Sequence, residues 1–161
     1  MNIQAFDTNR RYQLRILTEP YQGVEHSVHT GLGHEQIRCA VPSYHDGECA
    51  LCKLANRPYR FWLVGAIDRL AGNEYGVYRL DYQDFGSLRQ FAINPDVGNP
   101  MGYDITITKP AFNALPKAPL TAQEQQVKDN VDTNFLIAQT NPALASCVRK
   151  FADKHSIGPR Q

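Results

Sequence analysis

The chain has no apolar N-terminal segment of the kind that directs secretion, no run of eighteen apolar residues and no Asn-x-Ser/Thr acceptor for a glycan. A cytoplasmic location is therefore expected, with no membrane as partner. Charge of one sign is also lacking, because 17 Lys and Arg face 16 Asp and Glu for a net +1. Contact with a polyanion would have to come from cations gathered on one face, since overall charge supplies nothing. Signatures of catalysis are missing as well. No histidine is followed two residues later by the glutamate that a zinc deaminase needs, and His34-Glu35 meets Arg38 where a metalloprotease helix carries its second histidine. No paired carboxylates or nucleophile constellation recurs at short range, so an enzyme is not expected.

Cysteine is scarce too, with four in 161 residues, but three of the four fall within the fourteen residues from Cys39 to Cys52. Clustered thiols in a reducing compartment point to metal rather than to disulfides. With a histidine upstream, the series reads His26-x12-Cys39-x9-Cys49-x2-Cys52. Three thiolates and a neutral imidazole close a tetrahedral structural Zn2+ site and leave no open position for a substrate. Asp46 and Gly47 precede the Cys49–Cys52 turn and supply the backbone freedom that it requires. The rival reading of Cys49 and Cys52 as a redox dithiol leaves Cys39 unexplained and lacks a strand-to-helix context. His26 is the preferred fourth ligand, with His29, His34 and His45 as competitors close in sequence. Cys147 lies far off in a helical region and is expected to be a small buried apolar residue.

Periodicity orders the rest. Residues 1–11 are polar and read as a flexible arm. Tyr12, Leu14 and Ile16 alternate with Gln13 and Arg15, a half-buried strand. Val24 to Thr30 and His34 to Cys39 read as two strands around Gly31-Leu32-Gly33, a hairpin that would return His26 toward Cys39. Phe61 to Ile67 is a continuous apolar run, suited to a strand buried on both faces or to one with an aromatic face for a ligand. Tyr75 to Tyr82 alternates again, with Tyr78, Leu80 and Tyr82 on one side and Tyr75, Val77 and Arg79 on the other. Phe85, Leu88 and Phe91 or Ala92 fall at helical spacing. Tyr103 to Thr108 has the clearest β pattern. Lys109 to Pro119, with three prolines, should be an irregular connection or an edge. Thr121 and Glu124 form a capping-box signature, and Asn141-Pro142 starts a last helix.

The expected fold is mainly β: an OB-type Greek-key barrel over residues 12–119, an inserted zinc-stapled hairpin at about 24–56, and C-terminal helices over 120–161. Such a barrel binds single strands by stacking bases on aromatic rings and tracking the backbone with cations. The window from Lys53 to Arg69 suits this best, interleaving Lys53, Arg57, Arg60 and Arg69 with Tyr59, Phe61 and Trp62 against one acid, Asp68. Phe61 and Trp62 are neighbours on a strand and point to opposite faces, so at least one should be core. Tyr75, Tyr78, Arg79 and Tyr82 complete the candidate nucleic-acid residues.

The order of features, from the His26–Cys52 ligand series through Arg57-Pro58-Tyr59-Arg60-Phe61-Trp62 to Ala66-Ile67-Asp68-Arg69, resembles the zinc-containing single-stranded-DNA-binding proteins of tailed phages, the group of the T-even helix-destabilising protein. The resemblance covers roughly Tyr12 to Thr108 and is most specific in the ligand spacing. It implies an OB core, a zinc subdomain, and a cleft that holds a few nucleotides of single-stranded DNA without sequence preference, in phage replication, recombination or repair. Replication or recombination proteins are the further partners it implies. Carried over by position, the zinc ligands fall on His26, Cys39, Cys49 and Cys52, and the cleft on Arg57, Arg60, Phe61 or Trp62 and the aromatic residues of the Tyr75–Tyr82 strand. The family's basic N-terminal module and acidic C-terminal tail are not recognisable here, so cooperative binding is not carried over. A zinc-stabilised protein-interaction module or an RNA-binding accessory factor is the alternative.

Overall fold

The computed structural model describes residues 3–30, 33–38 and 59–131, with 28–30 and 33–38 as backbone alone. Over these residues the chain is mainly β, with strands β1 (Ile3–Ala5), β2 (Tyr12–Ile16), β3 (Tyr21–Thr30), β4 (Gly33–Arg38), β5 (Tyr59–Asp68), β6 (Glu74–Leu80), β7 (Tyr103–Thr108) and β8 (Ala111–Lys117). The helices are α1 (Tyr82–Ile93) and α2 (Ala122–Asn130), and Pro100–Gly102 makes one 3-10 turn. The chain divides into two compact units, one from residues 1–21 and 62–139, the other from 22–61 and 140–161.

The first unit is a mixed sheet in the order β1-β6-β5-β2-β7-β8. β1 runs parallel to β6, and the other pairs along this path are antiparallel. β2 is central, with Leu14 opposite Asp68 and Ile16 opposite Ala66 of β5, and with Tyr12 opposite Ile107 and Leu14 opposite Ile105 of β7. The apolar alternation of β2 therefore lays Tyr12, Leu14 and Ile16 into one core with Ile105 and Ile107. Trp62, Val64 and Ala66 of β5 join them, together with Tyr78 and Leu80 of β6. On the opposite side of β5, Leu63 and Ile67 are buried as well. Of the two possibilities for the apolar run, β5 is the strand buried on both faces.

Packing is close where glycine permits it. A Cβ on Gly65 would lie 2.1 Å from the Tyr75 hydroxyl, so the Tyr75 ring crosses β5 where no side chain intervenes. α1 begins where Asp81 stops β6: the Asp84 N–H donates to Asp81 Oδ1 at 2.8 Å and the Asp81 N–H donates to Asp84 Oδ2 at 3.1 Å. α2 starts on the same device, with Thr121 and Glu124 bonded reciprocally.

Three sequence expectations are corrected. The N-terminal residues are not merely an arm: Ile3–Ala5 pairs with β6, and Phe6 packs in the core against Tyr12, Tyr78 and Phe112. One large ring outweighs the polarity of its neighbours. Arg15, expected on a solvated face, is 2% exposed, because Asp104 and the carbonyls of Met101 and Ala118 satisfy its guanidinium. Tyr82 is not a strand residue, since the Asp81 cap makes it the first residue of α1. The proline-rich segment after β7 contains β8 at the end of the sheet path, with a register irregularity against β7.

In the second unit β3 and β4 form an antiparallel hairpin in register from Glu25 opposite Arg38 to Thr30 opposite Gly33. A Cβ on Gly23 would come within 2.3 Å of the Phe61 ring, so the ring occupies the space that a side chain at position 23 would take. The last helix expected from Asn141, and Cys147 on it, lie outside the described residues.

Gly65→Ala should lower stability by about 1–3 kcal/mol, the usual cost of overpacking. The double substitution with Tyr75→Leu should recover part of that loss in urea midpoints at constant m. A single variant as stable as the parent would refute the close approach.

Candidate metal site and nucleic-acid surface

His26 is the one expected zinc ligand whose side chain is described, and it is 0% exposed. Its place follows from hairpin register. His26 stands opposite Ile37, whereas His29 stands opposite His34. Successive strand residues alternate faces, and directly paired residues share a face. His26 and Ile37 thus occupy register positions of one parity, and His29 and His34 occupy the other. Cys39 follows Arg38, the last residue of β4, and is two positions on from Ile37. Cys39, Cys49, Cys52 and the competing His45 lie outside the described residues. Among the described residues no three His, Cys, Asp or Glu side chains are grouped to hold a metal.

The candidate nucleic-acid residues separate sharply by environment. Trp62 is buried and stacks on Phe85 at 4.1 Å between ring centroids with planes 5° apart. Tyr78 is buried and stacks on Phe6 at 5.6 Å. Phe61 is buried against Gly23. These three rings are core, which corrects their assignment as stacking platforms; the sequence expectation that at least one of Phe61 and Trp62 would be inside understated it. The reason is that β5 has no solvent face over this length, so its alternation sends each ring into packing on one side or the other. Tyr75 is half-buried, and burial pushes its hydroxyl pKa up to about 12. Burial raises Tyr78 and Tyr103 also, with the Asp68 carboxylate adding to the effect at Tyr78.

The exposed members are Arg60 on β5 and Tyr82 on α1, the latter 78% exposed. Tyr59 and Arg79 are half-buried. Lys53 and Arg57 lie outside the described residues. Arg69, in the turn after β5, is committed to ion pairs: its Nε lies 3.1 Å from Asp104 Oδ2, and its other nitrogens reach Glu124. A guanidinium held by two carboxylates is a structural clamp on α2 rather than an open phosphate contact. Nothing in the 53–69 window distinguished Arg69 from the other cations, because its partners lie 35 and 55 residues away.

A cluster that sequence reasoning did not single out sits at the start of α1. Lys109 Nζ is 2.9 Å from Asp81 Oδ2 and 3.4 Å from Asp84 Oδ2. The Asp81 hydrogen bond raises the Lys109 pKa. Burial raises Asp84, and the adjacent Asp81 charge adds to this. Burial alone would raise Asp81, but the Asp84 N–H and the Lys109 ammonium outweigh it, and its pKa is lowered. The capping-box spacing Asp81-x-x-Asp84 was a sequence signal for this site, although Lys109 was not.

No protein-family model matches the chain, and no curated protein matches it. Among the described residues no helix is long and apolar enough to cross a membrane.

Asp84 supports a pH prediction. A carboxyl whose folded pKa is raised contributes stability that is complete below its ordinary pKa, about 3.9, and is lost as pH rises through the folded value. Asp84→Asn keeps an oxygen for the Asp81 N–H and removes the buried charge. The variant should therefore equal or exceed the parent in melting temperature at pH 7, and its advantage should vanish below about pH 4. Melting curves in which Asp84→Asn is clearly less stable at pH 7 would contradict this.

Proposed function

We propose that the chain is a zinc-stapled, sequence-tolerant single-stranded-DNA-binding protein with an OB-type core. The observation that carries the proposal is the His26-x12-Cys39-x9-Cys49-x2-Cys52 spacing together with the hairpin register, which pairs buried His26 with Ile37 just before Cys39. The residue types fit a structural zinc, with His26, Cys39, Cys49 and Cys52 to hold it. When bound, the ion cross-links the hairpin to the following turn and carries no reaction. Register parity favours His26 over His29 and His34.

The strand path supports the OB reading. Taken in chain order, β2, β5, β6, β7 and β8 are five strands arranged 3-2-1-4-5, with α1 between the third and fourth. That is a meander whose first strand also pairs with the fourth, an order in keeping with a partly open five-stranded Greek-key barrel. The hairpin falls in the connection between the first and second of these strands, one of the loops that OB proteins use for ligands. DNA contact then rests on Lys53, Arg57 and Arg60 with Tyr59, and not on the buried rings. The burial of Phe61, Trp62 and Tyr78 favours a second reading, a zinc-stabilised protein-interaction module, which has no need of exposed platforms.

Fluorescent oligothymidine should bind tightly at low salt. If three cations neutralise phosphates, a slope of about −0.7 per contact lowers affinity by roughly twentyfold between 50 and 200 mM salt. Arg60→Glu should weaken binding, while Trp62→Ala should lower stability by about 3–5 kcal/mol. No oligonucleotide affinity, or affinity equal for duplex and single strand, would favour the interaction module instead.

The purified protein should contain about one zinc per chain, and chelation should unfold the hairpin. His26→Ala should lose the metal, and His29→Ala and His34→Ala should keep it. Zinc loss from His29→Ala but not from His26→Ala would reverse the ligand assignment.

A further inference from the structure

The hairpin of the second unit carries a histidine pair that the zinc assignment leaves over. β3 and β4 are paired in register from Glu25 opposite Arg38 to Thr30 opposite Gly33, and His29 stands directly opposite His34. Only Thr30-Gly31-Leu32-Gly33 separates the two in sequence. Two histidines placed this way do little to hold strands together, because like charges directly opposite destabilise a strand pair whenever both imidazoles are protonated. Neutral imidazole is, on the other hand, the commonest protein ligand for metals. The juxtaposition gains most when one ion is shared by both residues.

Strand geometry supplies the spacing. Directly opposite residues of an antiparallel pair have Cβ atoms about 4.5–5.5 Å apart, a span that metal–imidazole bonds of about 2.0–2.1 Å can close from both positions. Backbone pairing holds the two positions in place before any ion arrives, which removes part of the ordering cost of binding. A slip of one residue in register would carry one histidine to the opposite parity, so the pair depends on the observed register. It is also separate from the expected zinc site. His26 lies three residues back, about 10 Å along an extended strand, and at the other parity. The next rung of the His29 parity is Ser27 opposite Gln36, which adds no thiolate and no carboxylate.

We propose that His29 and His34 form a second metal site, a two-imidazole clip near the end of the hairpin that takes a divalent transition metal. Imidazole suits zinc, copper and nickel, whereas magnesium and calcium require oxygen donors. With two protein ligands the ion keeps open coordination positions, so it exchanges, in contrast to the ion of a closed Cys3His set. An ion bound only by the paired strands ties β3 to β4 and stabilises the hairpin by mass action. The inference rests on neither the DNA-binding nor the zinc reading, since it uses two histidines that neither assigns.

Ni2+ is the probe, because it favours imidazole and does not oxidise thiols. Isothermal titration of the full chain as isolated, in a non-coordinating buffer, should show one saturable nickel site that Mg2+ does not fill. His29→Ala and His34→Ala should each weaken it at least tenfold, and the double substitution should weaken it little further, because a single imidazole is no chelate. His155→Ala should bind nickel as the parent does, and any zinc carried by the parent should be retained in every variant. In the unsubstituted chain, nickel paramagnetism should broaden the ring-proton signals of His29 and His34 before those of the other histidines, a readout that requires no variant to fold. Equal nickel affinity in the parent and the His29 and His34 variants, or earlier broadening of another histidine, would overturn the proposal. Loss of zinc from His29→Ala or His34→Ala would also overturn it, by giving that histidine to the zinc site. A chain isolated without zinc that still takes nickel through this pair would uphold it while removing the zinc reading.

Discussion

Arg15 is the constraint to which the first unit is built. A guanidinium cannot shed its charge in a protein, so placing one at 2% exposure on the central strand obliges the fold to surround it with acceptors. They come from three places in the chain: the carbonyl of Met101 at 3.2 Å, the Asp104 carboxylate at 3.3 Å and the carbonyl of Ala118. Each bond fixes a segment that strand pairing leaves undetermined. Met101 is the 3-10 turn before β7, and Ala118 is the chain just after β8. Removing one member of a buried pair typically costs about 3–5 kcal/mol, because the other charge is stranded.

The constraint propagates through Asp104. Its second oxygen accepts from Gln13 at 3.0 Å and from Arg69 at 3.1 Å, and Arg69 in turn holds Glu124. Glu124 also accepts the Thr121 N–H, so the ion pair and the helix cap share one carboxylate. A helix as polar as α2 has little apolar surface with which to pack. Its attachment to the sheet runs through this chain of charges. Asp68 does similar work at the turn after β5, where its buried side chain accepts from Arg10, the Gln13 N–H and the Leu70 N–H. The charges in this part of the molecule are thus spent on architecture, and Arg69 is not available as a free cation.

Local patterns in the sequence carried the elements well, and for a physical reason. Alternation in Tyr12–Ile16 and in Tyr103–Thr108, the helical spacing of Phe85 and Leu88, and the Thr121–Glu124 box are determined by neighbours within a few residues. Which side of a strand is buried, and against what, is set by partners far along the chain. Arg15 and Gln13 share one parity on β2, yet only long-range acceptors make Arg15 internal. Phe6 sits in a polar stretch, and nothing within five residues shows that Tyr12 and Tyr78 await it. The candidate platforms failed for the same reason: the run through Phe61 and Trp62 was compatible with one buried face or two, and the choice was made by Gly23 in one unit and Phe85 in the other.

The metal reading differs because its evidence is spacing, which strand register can extend. Register alternates parity with no dependence on side-chain detail, so pairing His26 with Ile37 separates His26 from His29 and His34 even where the structure gives only backbone. His26 also sits on a strand where its neighbours Val24 and Glu25 are buried. A histidine moved one position along β3 would stand at the other parity of the hairpin.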